Sequence, residues 1–270
     1  MILFTRKTIR YCETWFDEAP DSTADMVIWQ QRSTPLPSPA CRSFHTLIVD
    51  LTQPQESILA AIHKDSRYEI RRAEKSDGVS AEYHTQSAEL LESFHAFYDE
   101  FAQQKGLPKL DAYRLRQYSD TGHLCLTRVV SQDETLVWHA YYRASRRARL
   151  LYSASLFRGL DNAQRNRIGR ANRYLHWRDM LFFKSAGFHK YDLGGWTPVE
   201  SGDSEKLRIN KFKEEFGGHH VTEFNCIYAS SLKGRIVLAT KKILRALSAR
   251  NNPGRDVQVR QEARPDQKSD

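Results

Sequence analysis

Tyr191-Asp192-Leu193-Gly194-Gly195 and, further on, Phe212-Lys213-Glu214-Glu215-Phe216-Gly217-Gly218 are the stretches whose reading decides the fold. Phe188 to Leu193 predicts a strand. The glycine pair after it has no Cβ atoms, which suits an unusual backbone conformation or the close approach of a ligand. Lys206 to Glu215 predicts a short helix running into the second glycine pair. Between the upstream strands and this region, Gly169 to Ser185 predicts a helix with Ala171, Tyr174, Leu175, Met180 and Leu181 inward, ended by Gly187. Downstream, Val221 to Tyr228 predicts a last strand.

Working outward, the period changes from helical to alternating. Leu124 to Val130, Thr135 to Ala144 and Arg149 to Leu156 are strand-like runs separated by polar turns at Ser131-Gln132-Asp133-Glu134 and Ser145-Arg146-Arg147, which predicts an antiparallel meander. Ser87 to Gln104 predicts an amphipathic helix with Leu90, Leu91, Phe94, Phe97, Tyr98 and Phe101 on one side, and Asp111 to Tyr118 a shorter one. Phe44 to Leu51 reads as a strand, Pro54-Gln55-Glu56 opens a helix, Arg67 to Lys75 is helical, and Val79 to Tyr83 is a short strand. Residues 1–45 read as irregular, with Pro35, Pro37 and Pro39 marking a loop. Gly234 to Ala249 predicts a basic amphipathic helix, with Ile236, Val237, Ile243, Leu244 and Leu247 opposite Lys241, Lys242, Arg245 and Arg250. From Asn251 the chain is polar and reads as a disordered tail.

Composition bounds the function classes. Hydrophobic residues at 40% and aromatics at 11% are enough for a globular core. No apolar run approaches the roughly 20 residues of a membrane-spanning helix, and the N-terminus shows no secretory signal. Cys12, Cys41, Cys125 and Cys226 lie far apart with no Cys-x-x-Cys pair, so they read as reduced thiols of a cytoplasmic protein. The net charge is +8, and Arg143, Arg146, Arg147, Arg149, Arg158, Arg165, Arg167, Arg170, Arg173 and Arg178 crowd one stretch. That density points to an anionic partner such as a phosphate-bearing cofactor, a nucleotide or RNA, with a solvated basic face as the plainer reading. Neighbouring His219 and His220 would point to opposite faces of a strand, so no metal is expected.

The chain resembles the Fem family of aminoacyltransferases and its single-domain GNAT relatives. The resemblance spans about Thr46 to Tyr228 and rests on four segments in order: Arg67 to Lys75 with Gly78-Val79; Tyr152-Ser153-Ala154-Ser155; Asn172 to Trp177 through Lys184-Ser185-Ala186-Gly187 into Tyr191 to Gly195; and Phe212-Lys213 with Phe216-Gly217-Gly218. It implies an α/β (α+β) GNAT acyltransferase fold: a mixed central sheet with splayed strands, flanked by helices. The acyl donor would enter the gap between the splayed strands, and the following helix N-terminus would face its phosphates. Two departures stand out. Fem enzymes carry two GNAT-like domains, whereas here a reduced N-terminal half, residues 1–85, precedes one complete core at 86–230. The acyl-CoA pattern Gln/Arg-x-x-Gly-x-Gly/Ala is met only in part by Asn166-Arg167-Ile168-Gly169-Arg170-Ala171.

The resemblance assigns Lys213 to the reacting carbonyl, where a cation would stabilise the oxyanion of the tetrahedral intermediate. Phe212 beside it would shape the substrate or simply be core. Asp192 would position the attacking amine or accept its proton, or else bond the backbone of the glycine turn. Arg165, Arg167, Gly169, Arg170 and Ala171, with Tyr152 on the splayed strand, would bind the donor. Arg71 and Arg72, with Trp196, would contact the acceptor, unless the arginines pair with Glu69 and Glu74.

These assignments predict transfer of an aminoacyl or acyl group from an activated ester to a primary amine on a peptide or small molecule. Aminoacyl-tRNA is the favoured donor and acyl-CoA the alternative co-substrate, with no tightly bound cofactor. The alternatives are a non-catalytic RNA- or nucleotide-binding protein on the same scaffold, and a lipid or polysaccharide modifier in peripheral membrane contact through residues 234–250.

Overall fold

Alternating side chains split the central strands between two cores. Cys125, Val129, Val137 and Tyr141 face one apolar cluster, while Leu124, Leu126, Trp138, Ala140 and Tyr142 face another. The computed structural model describes residues 1–37, 40–85, 88–157, 159–198 and 204–240. Its strands are β1 (Ile2–Arg6), β2 (Ile9–Trp15), β3 (Met26–Arg32), β4 (Cys41–Asp50), β5 (Ser80–His84), β6 (Leu124–Ser131), β7 (Glu134–Ala144), β8 (Arg147–Ser155), β9 (Lys190–Gly195) and β10 (His219–Ala229). Its helices are α1 (Gln55–Ala61), α2 (Lys64–Ser76), α3 (Ala88–Lys105), α4 (Ala112–Asp120), α5 (Asn162–Ser185) and α6 (Ser204–Glu214). Ile58, Ile62, Ile70 and the buried stripe of α5 cover one face of the sheet, and Leu91, Phe94, Leu115 and Tyr118 cover the other.

The strands form one ten-stranded sheet in the order β1-β2-β3-β10-β4-β9-β8-β7-β6-β5. The predicted meander is present as β6, β7 and β8. Its two tight turns place Gln132, Asp133, Ser145 and Arg146 at positive φ, the left-handed pairs that two-residue hairpins need. Residues 1–45 are not irregular: they form β1, β2, β3 and the start of β4. The signal was missed because β1 and β2 pair only with each other and with β3, and the pairing that joins β3 to the rest of the sheet is remote. β3 lies against β10, with Met26 opposite Ala229 and Ile28 opposite Ile227, so the last strand supplies the neighbour of the first ones.

The parallel neighbours β8 and β9 pair only at Arg147↔Lys190, Ala148↔Tyr191 and Arg149↔Asp192, and then part. Two irregularities flank the opening. The β7–β8 register shifts between Ala140 and Tyr141, and the β4–β9 register shifts between Thr46 and Ile48. Bulges of this kind bend strands and end pairing. Gly194 completes the break with φ +76°, and a Cβ there would lie 2.8 Å from the Leu150 carbonyl oxygen. This gap is the splayed pair of the GNAT-type mixed α/β fold expected from the sequence.

Two other expectations change. Cys41 and Cys226 form a disulfide across β4 and β10, while Cys12 and Cys125 are free and buried. A bond spanning 185 residues leaves no local spacing to read. The C-terminal helix is described over 232–240, where Val237 and Leu238 pack on Ile9, Met26 and Ala229; residues 241–270 lie outside the described residues. Among the described residues no helix is long and apolar enough to cross a membrane.

Candidate active site

The gap between β8 and β9 gathers a small set of polar groups around the Gly194-Gly195 turn. α6 delivers Lys213 to it. Asn210 fixes that helix by accepting from the Thr197 amide at 3.0 Å and donating back to the Thr197 carbonyl at 2.5 Å. Lys213 Nζ donates to the Gly195 carbonyl. Its surface is half-buried, yet protein atoms surround the ammonium densely. Burial first, and then the nearby Arg149 cation, push its pKa down to about 8. Phe212 sits against His176 and Phe216, with the Arg173 guanidinium 5.0 Å from its ring centre. Trp196 donates to Glu214 Oε1 at 3.0 Å and meets His220 edge-on, so it borders the same turn.

Asp192 is fully buried, and both its oxygens are occupied. Oδ1 accepts from Thr46 Oγ1 and from the Gly194 amide at 2.8 Å; Oδ2 accepts from Gln31 Nε2 at 2.9 Å and from Arg147 Nε and Nη2 at 3.0 and 2.5 Å. Arg147 also holds Glu223, to which Gln31 donates as well. Burial alone would raise the Asp192 carboxyl, but Arg147, then Arg149 and the hydrogen bonds, hold it below the ordinary value. It is therefore an ionised anchor that locks the glycine turn to β3, β4, β8 and β10. No lone pair is left for proton abstraction, which is the structural one of the two readings its sequence position offered.

A second buried chain lies beneath α5. Tyr141 Oη donates to Asp179 at 2.6 Å, Tyr191 Oη lies 2.7 Å from Tyr141 Oη, and His176 Nδ1 lies 2.7 Å from Tyr191 Oη. Since Tyr141 gives its proton to Asp179, Tyr191 gives its own to Tyr141, and His176 Nδ1–H donates to Tyr191. His139 bonds Asp179 and Asn172, each at 2.8 Å. Burial, then His139, Lys213 and Arg173, drive the His176 pKa well below the ordinary histidine value. The ring is neutral, with its proton on Nδ1.

The donor-phosphate assignments move. α5 starts at Asn162, so Gly169 and Ala171 lie well inside the helix rather than at its start; Ala171 is core. The helix start is closed by Asp161, whose carboxylate accepts from the Gln164 amide while Gln164 answers in a capping box. Arg167 bonds the Asp77 carbonyl and Ser131, and Arg170 grips Asp77 through two bonds at 2.6 and 3.0 Å. Both tie α5 to the end of α2. Arg165 stays exposed in the first turns. Tyr152 packs on Tyr98 and Phe94 under α3. Arg71 and Arg72 lie on the exposed side of α2, whose buried stripe is Ser66, Ile70 and Ala73, so they are not brought to the glycine turn.

Sequence reasoning missed Arg149, Gln31, Trp15 and Phe44. Arg149 is the last residue of β8 that pairs with β9, its Cζ 5.8 Å from the Trp15 ring centre and 5.6 Å from that of Phe44. The signal was its place two residues after Arg147 in the arginine-rich stretch, but charge counting could not single it out. Among the described residues no group of three or more His, Cys, Asp and Glu could hold a metal ion.

No protein-family model matches the chain, and no curated protein matches it. Solved structures do. FemX superposes at TM-score 0.60 with 14% identity, covering 84% of this chain and 83% of that one. The C-terminal domain of a putative lysylphosphatidylglycerol synthetase from Agrobacterium fabrum superposes at TM-score 0.52 with 14% identity, covering 81% and 72%. The chain thus has a Fem-type, GNAT-like fold.

Proposed function

We propose that the protein is an acyltransferase that moves an aminoacyl or acyl group from an activated ester to a primary amine, with aminoacyl-tRNA as donor. The observation that carries this reading is Lys213: an ammonium held at the Gly194-Gly195 turn, on the rim of the gap between β8 and β9, with no carboxylate partner among the described residues. A cation so placed can stabilise the oxyanion that forms when an amine attacks an ester carbonyl, a contribution of about 3 kcal/mol in comparable sites. The tetrahedral intermediate then collapses with cleavage of the ester C–O bond, the proton lost by the amine ends on the departing oxygen, which leaves as the alcohol, and no covalent enzyme intermediate is required. Holding both substrates in one gap supplies further rate.

An ester donor without coenzyme A is favoured by the start of α5. Anions bind helix starts through free amides and the positive dipole end; here the Asp161 carboxylate occupies that position. The acceptor is a peptide or small amine.

Transfer is tested with labelled aminoacyl-tRNA and labelled acyl-CoA, each against a panel of primary amines. The proposal expects product from the charged tRNA, lost in Lys213→Ala with donor affinity nearly unchanged. Product from acyl-CoA alone would overturn the donor assignment, and full turnover by the variant would overturn the role of Lys213.

A further inference from the structure

Most of the partly buried arginines place an Nη group on a protein acceptor, Arg67, Arg143 and Arg167 on carbonyl or hydroxyl oxygens, and Arg149 does not. Arg147, Arg170, Arg173, Arg128 and Arg114 each meet a carboxylate. Arg149 meets none: its Nε donates to the neutral Gln31 Oε1 at 3.0 Å, and among the described residues Nη1 and Nη2 have no acceptor. Its nearest acid, Asp192, is already committed to Arg147. The two Nη donors of Arg149 are not buried away from solvent, so they are open to an anion entering the gap.

The surroundings are constructed to hold this fork in place. Gln31 adopts a left-handed backbone at φ +54°, unusual for a non-glycine residue and of the kind that collects at functional sites. In that pose its amide nitrogen bonds Asp192 and Glu223 and its oxygen faces Arg149. The rings of Trp15 and Phe44 flank the guanidinium. A Cβ on Gly194 would lie 3.8 Å from Arg149 Cζ, so the glycine leaves the fork open toward the turn where Lys213 bonds Gly195. Three cations, Arg147, Arg149 and Lys213, face two carboxylates, Asp192 and Glu223, which leaves one positive charge to be matched.

We propose that Arg149 and Lys213 form an oxyanion seat for substrate, in which a carboxylate or phosphate on the molecule entering the gap takes the two Nη donors of Arg149 beside the Lys213 ammonium. A planar fork suits two-point binding of either group. The seat narrows the acceptor class to amines that also carry an anionic group. That narrowing rests on the transferase reading, but the seat itself is tested without turnover, so either can fail alone.

The full chain is labelled with a trace amine-acetylating reagent at constant ionic strength, and the rate at Lys213 is read by mass spectrometry against pH. Inorganic phosphate and acetate are the probes. An anion in the seat favours the ammonium, so labelling near pH 8 slows by about fivefold, the effect of one pKa unit. Slowing by phosphate but not acetate assigns a phosphate-bearing substrate, and the reverse a carboxylate. Arg149→Met abolishes the dependence and, by removing a cation that opposes the ammonium, slows basal labelling near pH 8; Arg149→Lys, which keeps the charge and guards against misfolding, weakens the dependence. Labelling of the unaltered chain that ignores both anions overturns the seat, as does an Arg149→Met protein that responds like the unaltered one.

Discussion

Lys213 carries its charge where burial and Arg149 both oppose it, and this couples function to stability. Its folded pKa of about 8 lies below the ordinary 10.5, so the unfolded chain binds more protons between those values and stability rises with pH across that window. Lys213→Met is therefore expected to melt higher than the unaltered protein at pH 7, with the difference shrinking toward pH 10. A melting curve series that shows no such convergence contradicts the assignment. Turnover should run the other way: it declines as pH rises through about 8 and the ammonium is lost. Asp192 behaves oppositely, since its ionised form holds the turn. Asp192→Asn leaves Arg147 partly unpaired in the interior and should cost about 3–5 kcal/mol in denaturant unfolding; a cost under about 1 kcal/mol would mean that the buried network can rearrange around it. Lys213 and Phe212 could be singled out from sequence because the family resemblance covers the Phe-Lys segment, and Asp192 because it precedes the Gly194-Gly195 pair. Arg149 and Gln31 could not, because their roles exist only once β3 and β8, 118 residues apart at this pair, approach the same turn.

α5 shows why an element boundary changes a functional reading. Asn166 to Ala171 resembled a phosphate loop only while the helix was taken to begin at Gly169. The capping box at Asp161 and Gln164 moves the start to Asn162 and turns Gly169 into an interior helix residue with room for a Cβ, the nearest atom being Arg173 Nη1 at 3.9 Å. Gly169→Ala should thus stabilise the protein by about 0.5–1 kcal/mol, the helix penalty of glycine, and leave donor binding unchanged. A loss of donor affinity in that variant would restore the phosphate role. The cap itself was legible, as Asp161 stands three residues before Gln164, but the polar run after it hid the helical period. The β4–β10 pair makes a second case. Cys226 lies opposite Cys41, and the closed loop is long. Cys41→Ser, or thiol reductant on the unaltered protein, should lower stability by about 2–5 kcal/mol. Equal melting with and without reductant would show that the bond contributes nothing in solution.

At the scale of the molecule, the question is whether the N-terminal strands are an appendage or a part of the core. The meander, the long helix and the last two strands were readable because their contacts are local or strongly periodic. β1, β2 and β3 were not, because their alternation is weak and β3, which joins them to the rest of the sheet, pairs with β10 about two hundred residues away. Yet they reach both the core and the candidate site. Trp15 stacks on Tyr142 at 4.4 Å between ring centres and bonds Glu13, whose carboxylate also takes Tyr118 and Arg114. Gln31 closes the Asp192–Glu223–Arg147 network. Removing residues 1–32 would expose the β10 edge and leave the buried carboxylates short of a donor. It would also open the wall beside Arg149. Each loss is of the size that unfolds a protein of ordinary marginal stability. The truncated chain is expected to lose its cooperative denaturant transition and the dispersion of its amide NMR spectrum. If instead residues 33–270 unfold in one sharp transition with dispersed amides, the later part of the chain is an independent core, and the first three strands serve substrate binding alone.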